Sequence, residues 1–285
     1  PSIGLGGKEP ETYMHEVHVC GLTAGTKYYY QVGGGSPEVW SAVQSFTTVP
    51  KSGKLRIGIS GDARDRVETW QLVQSRMRDA AVHMQLFSGD LVFVGQLQSL
   101  YREWIDAAWK DPNDASKFLT FGQQLFVPVA GNHENEAARF YAAFAMPGDG
   151  DYPETYGSFD VGNTHFVMFD DQPLALAQES AQAKASLAWL SADLEKADAD
   201  RAAHPYIVVL NHRGVYTTSL HATDGDVLLT RSSLAPLFDK HHVDLVMNGH
   251  EHEYERSKPL KAGATPSGEP QIQPSAANGT VYRDR

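Results

Sequence analysis

The 285 residues leave room for one large domain or two smaller ones, and an apolar share of 41% supports a buried core and excludes disorder over most of the chain. A formal charge of −11 with no basic stripe excludes nucleic acid as a dedicated partner, and no apolar run is long enough to span a membrane. The lone Cys20 rules out an internal disulfide and reads as a small buried residue in a strand.

The first fifty residues read as β structure. Strands are expected at Glu16–Val19, Lys27–Val32 and Val43–Thr48, with a loop at Gly33-Gly34-Gly35. The stretch from Leu22 to Tyr28 is similar to the loop and tyrosine corner of a fibronectin-III-like β-sandwich, of which residues 1–50 supply only a part. Pro50-Lys51-Ser52-Gly53 reads as a linker, and from there strands alternate with helices. Leu55–Ile59, Met84–Phe87, Leu125–Val129, Tyr206–Leu210 and Val243–Met247 are apolar runs of strand length, while Ser158–Asp160 and His165–Phe169 form a hairpin around Gly162-Asn163. Val67–Ala80, Ala181–Ala199 and Leu234–His241 have helical spacing. Lys261–Asn278 is rich in Pro, Ser, Ala and Gly and reads as a flexible loop, with a last strand opening at Gly279. The chain starts at Pro1 and stops soon after that strand opens, so it reads as a processed or trimmed product with an incomplete C-terminus.

Each of five apolar runs ends in a short polar stretch: Gly61-Asp62, Gly89-Asp90, Gly131-Asn132-His133-Glu134, Asn211-His212 and Gly249-His250-Glu251-His252. In open α/β sheets the C-terminal strand edge is where ligands bind. Carboxylate, amide and imidazole donors suit Mn, Fe or Zn better than Ca or Mg, and a set this large fits two ions, the arrangement that performs displacement at phosphorus. The glycine before each Asp or Asn is expected to let the backbone turn sharply.

In this order the five blocks resemble those of the metallophosphoesterase superfamily, and most closely its purple acid phosphatase branch; the likeness extends through Tyr156-Gly157-Ser158-Phe159-Asp160 and Gly249–Arg256. The resemblance implies an α/β fold, a four-layer α/β/β/α sandwich over residues 51–285, preceded by the partial β-sandwich of residues 1–50. It implies that Asp90 bridges two metal ions, that Asp62 and His252 hold the first, and that Asn132, His212 and His250 hold the second. His133 would contact the phosphoryl group and protonate the leaving oxygen, and His221, nine residues after His212, would bind phosphate. Glu134 would orient an imidazole or solvent.

The chain departs from the branch at Phe93, where the family has a Tyr phenolate that binds ferric iron and gives the colour. The related enzymes without that Tyr carry His two residues after the first Asp, and here that residue is Arg64. Neither side chain binds a cation, so a colourless protein with a divalent pair, or a weakly held first ion, is expected, with an optimum nearer neutral or alkaline pH. Arg64 is free to clamp a substrate oxygen instead.

The resemblance implies hydrolysis of phosphorylated small molecules by water activated between the two ions, with phosphomonoesters favoured. A phosphodiesterase or nucleotidase, and a non-catalytic binding protein with a degraded first site, are the open alternatives. Secretion or periplasmic export is implied by the resemblance alone, and the oligomeric state is left open. His83, His204, His241 and His242 read as surface or strand-edge residues, and Asn278-Gly279-Thr280 fits a glycosylation sequon.

Overall fold

The computed structural model describes residues 15–64, 66–135, 137–146, 152, 154–262, 271–272 and 279–283. Near the N-terminus, β1 (Lys27–Tyr30) pairs antiparallel with β4 (Gln44–Thr47), and β2 (Gly33–Gly34) with β3 (Val39–Trp40). Tyr28 Oη accepts a hydrogen bond from the Thr23 amide (2.7 Å), the bond that a tyrosine corner makes. Thr47 N donates to Gln123 O (3.0 Å) and Tyr30 Oη to Gly122 O (3.2 Å), tying this segment to the turn at Gly122-Gln123. Three expectations fail here, the first at Gly33-Gly34, which pairs as β2 with Val39–Trp40 where a loop was expected. Glu16–Val19 forms no strand, and Cys20 is exposed outside any strand, because the segment has no strand to pair with among the described residues.

From residue 57 the chain builds two sheets. The first is parallel, in the order β5 (Ile57–Ser60), β6 (Met84–Phe87), β9 (Leu125–Pro128), with α1 (Val67–Asp79) between its first two strands. Between β6 and β9 lie α2 (Gln98–Trp109) and the hairpin β7 (Lys110–Asp111)–β8 (Asp114–Phe118), and α3 (Ala138–Ala143) comes after β9. The second sheet runs β10 (Tyr156–Val161), β11 (Thr164–Phe169), β12 (Tyr206–Leu210), β13 (Leu245–Met247), β16 (Val281–Arg283). It is parallel except for the β10–β11 hairpin. Its helices are α4 (Gln172–Ala177), α5 (Ala181–Ala199) and α6 (Gly225–Lys240). The small pair β14 (Leu260–Lys261)–β15 (Gln271–Ile272) precedes β16. Most of the loop expected over Lys261–Asn278 lies outside the described residues, as does Asn278 of the sequon.

Three buried clusters define four layers. Met84, Leu86 and Val127 of the first sheet face Phe166, Met168, Val208, Leu210 and Met247 of the second. The alternate residues point outward: Val167, Phe169, Ile207, Val209 and Val246 pack on Leu174, Leu190, Leu194, Leu234 and Phe238 of α4–α6. On the other side Phe87 packs with Trp70, Tyr101, Trp104 and Phe140 of α1–α3, and the two indoles stack at 4.8 Å. Strands covered on both faces read as unbroken apolar runs, which is why these were visible in the sequence. This is the α/β/β/α sandwich.

Local chemistry sets the helix ends. Ser180 Oγ accepts from Ala183 N (3.1 Å) and caps α5. α6 starts at Gly225, nine residues before the expected Leu234, and continues through Pro236. Among the histidines, His241 corrects the surface reading, since it is 4% exposed behind the end of α6. No described helix is long and apolar enough to cross a membrane.

Candidate metal centre

All five polar stretches lie just past the C-terminal ends of β5, β6, β9, β12 and β13, and the two sheets bring them to one edge. The loops interlock through backbone: Asp62 N donates to Gly89 O (2.9 Å), Arg64 N to Asp90 O (3.2 Å) and Gly249 N to His212 O (2.8 Å). Asp62, Arg64, Asp90 and His250 all have positive φ (55°, 44°, 55° and 71°), a conformation non-glycine residues hold only where surroundings enforce it. The expected role of the glycines changes accordingly. Of those before Asp62, Asp90, Asn132 and His250, only Gly89 has positive φ; Gly131 and Gly249 are required by close approach. A Cβ on Gly131 would lie 2.3 Å from Asp90 Oδ1, and one on Gly249 2.6 Å from Asp62 Oδ2.

One cluster centres on Asn132 Oδ1, which lies 2.9 Å from His212 Nε2 and 2.9 Å from His250 Nδ1. Asp90 Oδ1 lies 3.4 Å from His212 Nε2. His212 Nδ1 sits 2.7 Å from Ser88 O, and a carbonyl only accepts, so Nδ1 carries the proton. The Nε2 of a neutral His212 then points a lone pair at an amide and a carboxylate oxygen. Three acceptors with no donor between them need a proton or a cation. Burial lowers the pKa of His212, but Asp90, Asp62 and Asp171 outweigh it and raise it, and the field that holds a proton on Nε2 equally holds a cation. Burial, reinforced by the positive charge of His212, Arg213 and His221, pushes His250 down to about 3, leaving a neutral imidazole with a lone pair to donate. This donor set fits an ion.

Beside it, ligand atoms of Asp62, Asp90 and His252 lie within 4.8 Å of one another. Asp62 accepts at both oxygens from the His250 amide (3.1 Å each), and its Oδ1 lies 3.5 Å from His252 Nε2. Asp90 Oδ2 accepts from Arg64 Nε (3.1 Å) and Nη2 (2.7 Å). Burial works to raise the Asp90 carboxyl, yet His212, His133 and Arg64 prevail and hold it below its ordinary value. Phe93 is 52% exposed and contributes no ligand; its ring lies 5.1 Å from that of His133.

The substrate-side candidates lie at the same edge. His133 donates its amide to Asp90 Oδ1 (2.9 Å), and its Nδ1 pairs with Phe93 O (2.8 Å), so Nε2 is the free nitrogen, 3.9 Å from Asp90 Oδ2. His221 Nδ1 pairs with Asp224 Oδ2 (2.8 Å), and its ring lies 4.6 Å from that of His250. A cavity of about 500 Å³ opens beside Arg64, lined by Asp62, Arg66, Phe93, His252 and Tyr254.

Glu134 does not orient an imidazole or solvent. Fully buried, it accepts from the amides of Asp90 (2.9 Å), Leu91 (2.9 Å), Val92 (3.2 Å) and Gly131 (2.7 Å), joining the loops after β6 and β9. Sequence reasoning missed a second support. Asp171 accepts from Asn211 Nδ2 (2.9 Å), Arg213 N (2.6 Å) and Arg213 Nη1 (2.7 Å), and Asn248 Nδ2 donates to Asn211 Oδ1 (2.8 Å), so both neighbours of His212 are fixed. Asp171, Arg213 and Asn248 belong to none of the five stretches, and the network joins three segments each about forty positions from the next.

Next to Asp171, burial pushes the Asp170 carboxyl up to about 7 despite hydrogen bonds from Tyr141 Oη and Gln172 N. An unfolded Asp titrates near 3.8, so from about pH 4 to 7 the native state binds a proton that the unfolded chain has released. Stability from this group is therefore full below that window, falls as pH rises through it, and is flat above. Asp170→Asn keeps the acceptor for Gln172 N and removes the titration. Thermal melts are expected to show it equal to wild type near pH 4 and more stable by roughly 1–3 kcal/mol at pH 8.

The four-layer sandwich, with histidines, carboxylates and an amide gathered where its strands end, defines the dinuclear metallophosphoesterase class. Residues 55–254, more than half of the chain, match the calcineurin-like phosphoesterase family, and residues 5–48 match the purple acid phosphatase N-terminal domain. The chain belongs to that phosphoesterase family, whose site is dinuclear. It is 32% identical over 260 residues to purple acid phosphatase 21 of Arabidopsis thaliana, covering 87% of this chain and 54% of that protein. It is 27% identical over 296 residues to acid phosphatase type 7 of Homo sapiens, covering 91% and 60%. Among solved structures, purple acid phosphatase PPD1 from yellow lupin (Lupinus luteus) superposes with a TM-score of 0.69 at 19% identity, covering 92% of this chain and 50% of that one. The chain thus spans about half the length of the curated relatives it matches.

Proposed function

We propose that this chain is the catalytic part of a phosphoester hydrolase that favours monoesters of small molecules, divided into a partial β-sandwich over residues 1–50 and a catalytic domain over 51–285. The observation that carries the reading is the convergence of three acceptors, Asn132 Oδ1, His212 Nε2 and Asp90 Oδ1, with His250 against the same amide oxygen and Asp62 and His252 beside them. Asn132, His212 and His250 would hold one ion, Asp62 and His252 the other, and Asp90, which lies close to both groups, would serve both. Divalent Mn, Fe or Zn suits these donors, and a ferric ion does not, since Phe93 offers no phenolate. When bound, the ions neutralise the phosphoryl oxygens and make water nucleophilic near neutral pH.

The chain's own groups supply the rest. With Nδ1–H committed to Phe93 O, His133 presents Nε2 to the substrate and, when protonated there, delivers that proton to the leaving oxygen. Asp224 fixes the ring of His221, leaving its Nε2 to meet a phosphate oxygen. Arg64 grips Asp90 through Nε and Nη2, while its Nη1 makes no hydrogen bond among the described residues and is free for another substrate oxygen. Two oxygens held in this way favour a terminal phosphate over a diester. Export, to the periplasm or outside the cell, fits the leading-domain match.

His133→Asn tests the assignment. Its kcat is expected to fall about 10²–10⁴-fold on phenyl phosphate and much less on p-nitrophenyl phosphate, whose leaving group needs no proton. An equal loss on both substrates would remove His133 as the acid. The second reading, a non-catalytic binder, is favoured by the missing Tyr and His ligands at Phe93 and Arg64. Absence of turnover in metal-loaded protein would establish it.

A further inference from the structure

Resting on the reading that this edge binds cations, we propose that the Arg64 guanidinium occupies the role of the first metal ion, so that the chain binds one divalent ion tightly and a second only when Arg64 releases Asp90.

Three observations converge. Arg64 donates twice to Asp90 Oδ2 and lines the same cavity as Asp62 and His252, while Oδ1 lies beside His212 and accepts from the His133 amide. A bridging carboxylate would give one oxygen to each ion, and here the second oxygen already has a cation on it. The residues that remain for that ion are few: Asp62, whose oxygens both accept from the His250 amide, and His252, whose side chain is about half exposed. Phe93 and Arg64 add no donor. Finally, Arg64 holds a φ of 44°, a left-handed conformation that an arginine adopts only under constraint. The Asp90 carboxylate is 0% exposed, which makes the paired guanidinium the neutralising charge that a buried carboxylate requires.

Chemically the exchange is reasonable. A guanidinium is a permanent cation with donors on several edges, so it neutralises Asp90 through one edge and offers another to a phosphate oxygen, two of the duties a first ion would perform. What it cannot do is lower the pKa of a water molecule, so that task falls to the ion held by Asn132, His212 and His250. The two places are therefore unequal, one an ion site of four donors and the other a site shared between a side chain and a weak ion.

Manganese or zinc titration of metal-free protein, monitored calorimetrically and by elemental analysis after dialysis, tests this. Wild type should retain one ion per chain and take up a second at least about 100-fold more weakly, the scale on which missing ligand support changes affinity. Arg64→Gly removes the guanidinium and suits the left-handed backbone, so folding is protected; its second ion should bind at least about tenfold more tightly than in wild type, and Arg64→His, which adds a ligand, should retain two ions through dialysis. Arg64→Lys, which keeps a cation, should stay at one. Two ions of similar affinity in wild type, or no change in the Gly and His variants, would overturn the proposal and leave the phosphoesterase reading standing. No ion retained by any variant would overturn both.

Discussion

Asp90→Asn is expected to fold, to lose its tightly held ion, and to hydrolyse p-nitrophenyl phosphate at least about 10³-fold more slowly than wild type. The carboxylate is completely buried, with its two oxygens turned to different partners. Oδ1 takes the His133 amide at 2.9 Å and lies 3.4 Å from His212 Nε2; Oδ2 takes Arg64. An amide cannot replace it in either orientation. With Nδ2 in place of Oδ2, a donor faces the two N–H groups of Arg64; with Nδ2 in place of Oδ1, it faces the backbone N–H of His133. The charge matters more. Without it, Asn132, His212 and His250 are three neutral donors, and Asp62 is the nearest carboxylate left to the site. The metal-free variant should lose only about 1–3 kcal/mol of stability, because Arg64 is partly exposed and can turn to water. Elemental analysis after dialysis, steady-state kinetics and urea denaturation separate these effects. Undiminished turnover would mean that Asp90 does not serve the ions.

How much of the molecule was legible depended on where the signal lay. The central strands are buried on two faces, so Met84–Phe87 and Tyr206–Leu210 stand out as apolar runs, and the polar residues that end them mark the site. The convergence of Asp62, Asp90, Asn132, His212 and His250 is a consequence of the strands being parallel. Other features were hidden for physical reasons. α2 places Tyr101, Trp104, Ala107 and Ala108 on its buried face, a helical spacing diluted by charged residues between them. The first half of α6 starts at a glycine and buries only Val227 and the polar Thr230, so its apolar stripe is weak and the expected helix began at Leu234. The Asp171–Asn211–Arg213–Asn248 network is built from tertiary hydrogen bonds between segments far apart along the chain, and no spacing rule announces it. Arg64 is the most instructive case. Its identity as a missing ligand was readable from the sequence, but its bond to Asp90 was not, because that bond depends on two left-handed loop residues placed side by side by the first sheet.

Glu134 should prove the most sensitive position outside the ligand set. Its carboxylate is the common acceptor for four backbone amides, two from each oxygen: Asp90 N and Gly131 N on Oε2, Leu91 N and Val92 N on Oε1. Those amides belong to the loops that present Asp90 and Asn132, so one side chain sets the distance between the two. Burial, with the nearby Asp90 charge, pushes its pKa up to about 7, against the amides that favour the ionised form. Glu134→Gln keeps the shape but turns an NH₂ toward one pair of N–H donors, and Glu134→Ala leaves all four without an acceptor. At roughly 1–3 kcal/mol for each buried group left unpaired, with partial relief from water entering the alanine cavity, both variants should be destabilised by about 3–5 kcal/mol. The loops should also lose register before the fold melts. Metal affinity is expected to drop about 10–100-fold even where circular dichroism still reports a native fold. Urea denaturation read beside metal titration distinguishes the two effects. A Glu134→Gln chain with wild-type affinity and an unshifted urea midpoint would show that the loops hold themselves in place, and that the strained φ values at Asp62, Asp90 and His250 are maintained by the sheet edges alone.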